Sequence, residues 1–222
     1  MSRTVSRPAL VVIAKSPVAG RAKTRLCPPL SPGQAAELAE AALRDTLETV
    51  LETPAARRVL VLDGAPGSWL PDGLEILTQR PVSFAERLAG AFADVGGQAL
   101  LIGMDTPQVS ATMLTEALER LEEPATDAVL GHCDDGGYWA IGLPRADARV
   151  FAGVPMSTAR TGAVQQRRLE QLGLRTATLE QLRDVDRFED AVAVAGQAPA
   201  SHFARALASM RPAAGGASRA AA

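Results

Sequence analysis

The chain has 222 residues, of which 47% are hydrophobic and 22% are charged, and its formal net charge is −2. This length and apolar fraction are enough for one sizeable core and too little for two full domains. The small negative charge argues against a general nucleic-acid binder, which usually carries a basic excess.

Several features of the chain favour a cytoplasmic protein without a membrane partner. No stretch approaches the ~18 apolar residues that a membrane span needs, and the apolar run from Ala9 to Ala14 is too short for a signal-peptide core. The two cysteines, Cys27 and Cys133, form no disulfide framework, which favours a reducing compartment. Residues 211–222 are Ala, Gly, Ser and Arg without apolar periodicity, so we predict a single domain over 1–210 and a disordered tail.

Apolar runs alternate with amphipathic segments along the chain. The first run, Ala9 to Ala14, is typical of a strand buried on both faces of a parallel sheet. A helix is predicted after Ser31, which can form a capping box with Gln34. Further strands are predicted at 58–63, 74–78, 99–103, 127–131, 138–142 and 175–178, and helices at 83–95, 110–121, 161–172, from Asp186 and from about Ala198. Such alternation predicts an α/β fold with a mostly parallel central sheet and helices on both faces.

The loop after the first strand is strongly basic. It carries four cations within eleven residues, namely Lys15, Arg21, Lys23 and Arg25. Ligands of open α/β sheets bind at the carboxyl ends of the strands. This loop begins directly after Ala14, the last residue of the first predicted strand, and is therefore expected at the binding edge of the sheet. Lysine places a point charge on phosphate oxygens, arginine can fork onto two of them, and backbone N–H groups near Gly20 can add a nest. This pattern predicts a phosphate-binding loop, although it lacks the spacing of a P-loop. The alternative is a basic loop that is simply solvated.

An acidic residue follows another predicted strand. Asp105 lies in the sequence Gly-Met-Asp-Thr-Pro directly after the strand at 99–103. A carboxylate at the mouth of a parallel sheet is a natural ligand for a hard divalent cation, which in turn binds phosphate. A turn-capping aspartate is the alternative interpretation. With the basic loop nearby, we expect Asp105 to hold Mg²⁺ or Mn²⁺.

Two later segments carry further candidate residues. Asp135, Gly136, Gly137 and Tyr138 join two predicted strands, and the paired glycines allow close approach of a ligand or a tight hairpin. We predict a substrate-binding role for these four residues, compatible with the turn role. Asp186 is placed either to cap the next helix or to act as a second metal carboxylate.

With these elements in order, the chain resembles the DUF2064 family (rSAM/selenodomain-associated transferase 1) of the glycosyltransferase-A fold superfamily. The resemblance covers about residues 9–190. It rests on Ala14-Lys15, Pro17, Gly20-Arg21-x-Lys23-Thr24-Arg25-Leu26, Glu86-Arg87-Leu88, Gly103-x-Asp105-Thr106-Pro107, Asp135-Gly-Gly-Tyr138, Gly153-Val-Pro155 and Asp184-Val-Asp186. The Lys23-Thr-Arg-Leu26 element is also similar to the Lys-Ser-Arg-Leu of 2-phospholactate guanylyltransferases.

The resemblance implies a three-layer α/β/α nucleotide-diphospho-sugar transferase fold (GT-A-like). It further implies a nucleotide over the first loop and a divalent metal on Asp105. In sugar-nucleotide cytidylyltransferases a late aspartate adds a second metal ligand, and Asp186 aligns with it. The chain departs from the family pattern at Asp186-Arg-Phe-Glu-Asp, at Met156-Ser-Thr-Ala-Arg160 and at Pro81-Val-Ser-Phe-Ala85.

The predicted function is nucleotidyl transfer from a nucleoside triphosphate to a phosphorylated small molecule such as a sugar phosphate, with release of pyrophosphate. Lys23, Arg25 and Asp105 are the predicted catalytic residues, because such chemistry needs mainly positioning and charge neutralisation. One alternative is a glycosyltransferase that uses a nucleotide-sugar and an acceptor, with Asp134 or Asp135 acting on the acceptor. The other alternative is a nucleotide-binding protein without turnover, which the departures from the family pattern motivate.

Overall fold

The computed structural model describes residues 7–210. The strands are β1 (Ala9–Lys15), β2 (Arg58–Asp63), β3 (Glu75–Thr78), β4 (Ala99–Ile102), β5 (Ala128–His132), β6 (Tyr138–Leu143) and β7 (Thr176–Thr178). The α-helices are α1 (Pro32–Glu52), α2 (Phe84–Val95), α3 (Ala111–Glu122), α4 (Thr161–Gln171), α5 (Phe188–Gln197) and α6 (His202–Ser209). Short 3₁₀ turns lie at Thr24–Leu26 and Ala148–Val150.

The seven strands form one sheet in the order β3-β2-β1-β4-β6-β5-β7. Only β6 runs against its neighbours β4 and β5, and every other pair of adjacent strands is parallel. The carboxyl ends of six strands and the start of β6 therefore meet at one edge. This confirms the predicted mostly parallel sheet. Because β1 lies between β2 and β4, the crevice beside it is where such sheets bind ligands.

Helices cover both faces of the sheet, which confirms the three-layer α/β/α architecture. Side chains alternate along β1: Leu10 and Val12 join a core with α1 and α3, whereas Val11 and Ile13 join a core with α2. This alternation is the period of two that a strand imposes. All four side chains are buried, as the continuous apolar run predicts.

Helix α1 begins after Ser31, as predicted, and its apolar face is buried. The Gln34 backbone N–H donates to Ser31 Oγ at 3.2 Å, and the Ser31 N–H donates to Gln34 Oε1 at 2.9 Å. This capping box satisfies donors that the first helical turn leaves free. Leu43 and Leu47 are fully buried against the sheet, and truncating such a leucine to alanine costs about 2–5 kcal/mol. Its buried face fixes α1 directly behind the basic loop.

The last two helices begin later than predicted. Helix α5 starts at Phe188 rather than at Asp186, because the Asp190 carboxylate accepts the Arg187 N–H at 2.9 Å and closes the first turn there. Helix α6 starts at His202 rather than near Ala198. The capping interpretation of Asp186 is therefore wrong, since Arg187 is the residue at the start of α5.

The predicted tail, residues 211–222, lies outside the described residues, so the proposed domain boundary stays a prediction. Between residues 7 and 210, none of the helices combines the length and apolar character needed to cross a lipid bilayer.

Candidate functional site

The basic loop turns one of its lysines inward. Lys23 has a φ of 49° and a ψ of 37°, a left-handed conformation that is uncommon for a residue other than glycine. Its side chain is only 10% exposed, and Nζ lies 2.5 Å from Asp105 Oδ1. The same ammonium group donates to the carbonyl oxygen of Val185. Lys23 therefore ties the basic loop to the turn after β4 and to the segment before α5.

Two further contacts hold the segment before α5 against the turn that carries Asp105. The Val185 N–H donates to the Asp105 carbonyl oxygen at 2.8 Å, and the Gln108 side-chain amide donates to the Arg183 carbonyl oxygen at 2.6 Å. Val185 itself is buried. The two neighbours of Val185, Asp184 and Asp186, are thereby fixed beside Asp105 on a backbone that has little freedom to move.

The second ion pair of this site joins the basic loop to Asp186. The Arg25 guanidinium lies 2.5 Å from Asp186 Oδ2, with side chains that are 67% and 36% exposed. An exposed pair of this kind contributes little to folding stability. Its consequence is electrostatic and local, because it places a cation and a carboxylate together at the mouth of the site.

Two cavities meet at these ion pairs. The smaller, of about 270 Å³, is lined mainly by the basic loop: Lys15, Arg21, Ala22, Lys23, Thr24 and Arg25, with Met104, Asp105 and Asp186. The larger, of about 480 Å³, extends from β1 to the loop between β5 and β6. Arg25, Asp105 and Asp186 line both cavities. A ligand that crosses from one to the other must pass these three side chains.

The larger cavity combines an apolar wall with an acidic one. The apolar wall consists of Ile13, Phe84, Leu88, Leu101 and Met156. The acidic wall consists of Asp105, Asp135, Asp184 and Asp186, and the only guanidinium groups among the lining residues are those of Arg25 and Arg187. The charge therefore changes sign between the two cavities: the loop cavity is cationic and the larger one is acidic.

Asp184 is a site residue that the sequence analysis missed. Burial first, and then the negative charges of Asp135 and Asp105, raise the pKa of the Asp184 carboxyl to about 6, while Lys23 acts in the opposite direction. The signal was present in the Asp184-Val-Asp186 pattern. In an extended segment, residues two apart share a face, so burying Val185 sends both aspartates to the cavity side.

The predicted glycine pair brings two loops into contact. Gly136 has a φ of +89°, and a Cβ there would lie 2.1 Å from the Ala159 carbonyl oxygen. The Gly162 N–H donates to the Gly136 carbonyl oxygen at 2.8 Å. The neighbouring Gly137 donates its N–H to Asp135 Oδ1 at 2.7 Å. The loop between β5 and β6 is thereby pressed against residues 156–161, several of which line the larger cavity.

Tyr138 and Trp139 pack into opposite cores while both line the cavity. The Tyr138 hydroxyl donates to Gln165 Oε1 at 3.4 Å, and the Trp139 indole N–H donates to the Glu180 carbonyl oxygen at 2.9 Å. Burial raises the pKa of the Tyr138 hydroxyl, and burial together with nearby carboxylates raises the pKa of the Cys133 thiol. Both groups keep their protons at neutral pH, so neither acts there as an anionic nucleophile.

The remaining predicted site residues divide between the cavities and the framework. Ala14 is buried, and its carbonyl oxygen accepts the Gln79 amide at 2.6 Å. Gly20 is exposed with a φ of +75° and lines neither cavity. Asp134 also lines neither cavity, because its Oδ2 atom lies 3.3 Å from Nε of Arg183. The geometry therefore favours Asp135 over Asp134 for any contact with a substrate.

The donor set of the larger cavity fits a hard divalent cation. Carboxylate oxygens of Asp135 and Asp184 lie within 4.8 Å of each other, and Asp105 and Asp186 line the same cavity. The nearby Cys133 thiol is a soft donor that keeps its proton, so it is not counted among these ligands. Carboxylate oxygens are the ligands that Mg²⁺ and Mn²⁺ prefer. The pKa of Asp184 is raised first by burial and then by the charges of Asp135 and Asp105, and a bound cation would offset both effects.

The sequence of the chain matches one protein family. The model of the DUF2064 family, described as an uncharacterized protein conserved in bacteria, matches residues 38–158. The chain belongs to this family. No curated protein matches it by sequence.

Solved structures share the fold of this DUF2064 protein. A candidate nucleotide-diphospho-sugar transferase from Desulfovibrio desulfuricans G20 superposes with a TM-score of 0.79 at 24% identity, over 92% of this chain and 94% of that one. CMP:2-keto-3-deoxy-manno-octonic acid synthetase complexed with CTP gives 0.54 at 14% identity, over 86% and 98%. The 2-C-methyl-D-erythritol 4-phosphate cytidylyltransferase of Thermus thermophilus gives 0.52 at 16% identity, over 88% and 100%. The fold is therefore that of nucleotide-diphospho-sugar transferases.

Proposed function

We propose that this protein is a metal-dependent nucleotidyltransferase that joins a nucleoside triphosphate to a phosphorylated small molecule and releases pyrophosphate. The observation that carries the proposal is the junction of a cationic cavity and an acidic cavity at Arg25, Asp105 and Asp186. A triphosphate that spans the junction has its leaving pyrophosphate among cations and its α-phosphate beside the carboxylates. Two relatives of the same fold are named for cytidylyl chemistry or contain CTP, which supports this assignment.

The loop cavity suits a pyrophosphate leaving group. Lys15, Arg21, Lys23 and Arg25 line it, against the carboxylates of Asp105 and Asp186. Positive groups that already face the leaving oxygens stabilise the charge that develops there without having to reorganise during the reaction. Lys23 has a third ammonium proton available besides those that reach Asp105 and Val185. This proton remains for a hydrogen bond to a phosphate oxygen.

Asp105 and Asp186, with Asp184 lining the same cavity, are the residues that would hold the divalent cation, Mg²⁺ or Mn²⁺. When bound, such a cation neutralises phosphate oxygens and polarises the phosphorus that is attacked. The carboxylates would orient this cation, and Lys23 and Arg25 contact two of those carboxylates, Asp105 and Asp186.

The proposed reaction is a direct displacement. An oxygen of the acceptor phosphate attacks the α-phosphorus, the bond from the α-phosphorus to the bridging oxygen of the β-phosphate breaks, and pyrophosphate leaves with that electron pair. The acceptor phosphate is already ionised at neutral pH, so no side chain has to remove a proton from it. Positioning and charge neutralisation therefore account for the catalysis, consistent with the protonated states of Tyr138 and Cys133.

Glycosyl transfer from a nucleotide-sugar is the second candidate, and the placement of Asp135 favours it. The Asp135 carboxylate lines the larger cavity and accepts the Gly137 N–H, but among residues 7–210 it lies within ion-pair distance of no cation. A carboxylate in this position can accept a proton from an acceptor hydroxyl. This reaction releases a nucleoside diphosphate instead of pyrophosphate.

Product analysis separates the two candidates. We would incubate the protein with Mg²⁺, each nucleoside triphosphate in turn and a panel of sugar phosphates, and measure pyrophosphate. A parallel set would contain nucleotide-sugars with the same acceptors, and nucleoside diphosphate would be measured. Pyrophosphate that depends on both substrates supports the proposal, whereas nucleoside diphosphate from the second set alone supports glycosyl transfer. Binding of nucleotide without either product would support a non-catalytic role.

Two variants test the assignment of the loop. Lys23→Gln removes the charge at the junction, and we expect a loss of turnover of at least tenfold, since one charged hydrogen bond is worth about 1.5–3 kcal/mol. Arg44→Gln is the matched control, because Arg44 lies on the outer face of α1 and pairs with Glu48. Equal turnover in the two variants would contradict the role of the loop.

A further inference from the structure

The larger cavity contains an arginine that the proposed function has not used. Arg187 lines this cavity next to Asp186, at the start of α5. The residue is exposed, so its side chain is accessible to a ligand from solvent. Within residues 7–210, the Arg187 guanidinium forms no ion pair, although four carboxylates line the same cavity. A cation that no carboxylate of its own cavity reaches is available to an anionic ligand.

The backbone under Arg187 is fixed, so its side chain starts from a defined point. The Arg187 N–H donates to Asp190 Oδ2 at 2.9 Å. Two residues earlier, Val185 is held by Asp105 and Lys23. The segment that carries the guanidinium is thus clamped on both sides by residues of the site and of α5. Such support limits the entropy that the segment loses when it binds a ligand.

The distribution of charge separates Arg187 from the leaving group. The other arginine of the cavity, Arg25, also lines the loop cavity and pairs with Asp186, whereas Arg187 lines only the larger cavity. A ligand group that contacts Arg187 therefore lies in the larger cavity, which Lys15, Arg21 and Lys23 do not line. In a displacement at phosphorus, the attacking and leaving oxygens lie roughly in line. With pyrophosphate in the loop cavity, the attacking group would therefore occupy the larger cavity.

We propose that Arg187 binds the phosphate of the acceptor and determines that the acceptor is a phosphomonoester rather than a neutral molecule. The proposal rests on the proposed function and deepens it. A guanidinium group can fork onto two phosphate oxygens and leave the third free to attack. Without Arg187, the acidic wall repels a phosphate dianion, whereas with it the acceptor has a cation of its own.

The test uses two kinds of ligand and three variants. Calorimetry would measure the binding of nucleoside triphosphates with Mg²⁺, and then the binding of inorganic phosphate, glycerol 3-phosphate, glucose 1-phosphate and uncharged glucose to the nucleotide-loaded protein. Arg187→Gln removes the charge and Arg187→Lys keeps it. Arg183→Gln is the matched control, because Arg183 belongs to the same segment but pairs with Asp134 and Asp190 and lines neither cavity.

We expect Arg187→Gln to weaken the binding of phosphomonoesters by about tenfold or more, with Arg187→Lys intermediate and Arg183→Gln unchanged. Triphosphate affinity should stay within about twofold in all three variants, which also shows that each is folded. Three results overturn the proposal: equal phosphomonoester binding in Arg187→Gln, loss of triphosphate binding in that variant, or a wild-type protein that binds triphosphate but no phosphomonoester. A wild-type protein that binds no triphosphate contradicts the proposed function itself and is recognised separately.

Discussion

Replacing Gly136 with alanine tests the contact that shapes one wall of the larger cavity. The backbone of Gly136 has a φ of +89°, and a Cβ there would lie 2.1 Å from the Ala159 carbonyl oxygen and 2.7 Å from its carbonyl carbon. Gly153→Ala is the matched control, since Gly153 has a φ of +76° and no atom within 4 Å of the added Cβ. Both variants share the backbone strain, and only Gly136→Ala adds the collision.

The expected losses follow from these two geometries. Positive φ costs an alanine about 1–2 kcal/mol, partly offset by the reduced entropy of the unfolded chain, at about 0.4–1 kcal/mol. We therefore expect Gly153→Ala to lower the free energy of unfolding by about 1 kcal/mol. Gly136→Ala must also displace backbone atoms of Ala159, and overpacking of this kind costs a further 1–3 kcal/mol or so. The total is about 2–4 kcal/mol.

Urea unfolding followed by circular dichroism measures both losses under the same conditions. The slope of free energy against urea should stay unchanged, so that midpoints report stability alone. Acceptor binding should fall in Gly136→Ala at temperatures where the protein remains folded, because Ala159 and several of its neighbours line the cavity. Equal losses of stability in the two variants would refute the reasoning, since the collision with Ala159 would then have no energetic consequence.

Two further predictions concern thiol reactivity and a surface ion pair. Cys133 is 6% exposed and burial raises the pKa of its thiol, whereas Cys27 is only half-buried. A disulfide reagent at pH 8 should therefore modify Cys27 first and Cys133 only on unfolding. Mass spectrometry that showed early modification of Cys133 would contradict this prediction. Hydrogen bonds from Arg175 lower the pKa of Asp127 to about 2, so the stabilisation from this carboxylate is present above the ordinary aspartate pKa and is lost as the pH falls toward 2. In an NMR titration, Arg175→Gln should return the Asp127 pKa toward 3.8; an unchanged value would exclude Arg175 as the cause.

Much of the fold could be predicted because local rules and tertiary packing agree. The apolar run of β1 and the capping box at Ser31 each specify one structure, and both are found. The first residues of helices α5 and α6 were predicted less accurately. Asp186, Glu189 and Asp190 all suit a helix N-terminus in sequence, but it is Asp190 that accepts the Arg187 N–H. Asp186 instead pairs with Arg25, which lies 161 positions away in the chain. A distant partner of this kind leaves no local pattern.

The candidate site shows the same division. The rule that ligands bind at the carboxyl ends of strands directed attention to the loops after β1 and β4, and the structure brings Lys23 Nζ and Asp105 Oδ1 of these loops to 2.5 Å from each other. Asp184 and Arg187 were missed because their positions depend on the clamping of Val185 by the two other loops. Their roles, like those of the residues predicted from sequence, are proposals that the binding experiments test.

The central claim is that the basic loop and the carboxylates bind one metal-bound triphosphate. The most direct measurement is triphosphate affinity with Mg²⁺ and with EDTA, in the wild type and in Asp105→Asn. We predict at least tenfold tighter binding with Mg²⁺ in the wild type, and loss of that difference in Asp105→Asn, which should bind as tightly as the wild type or tighter in EDTA because one repelling carboxylate is gone. A wild-type affinity that is the same with Mg²⁺ and EDTA, or a metal effect that survives in Asp105→Asn, would contradict the account.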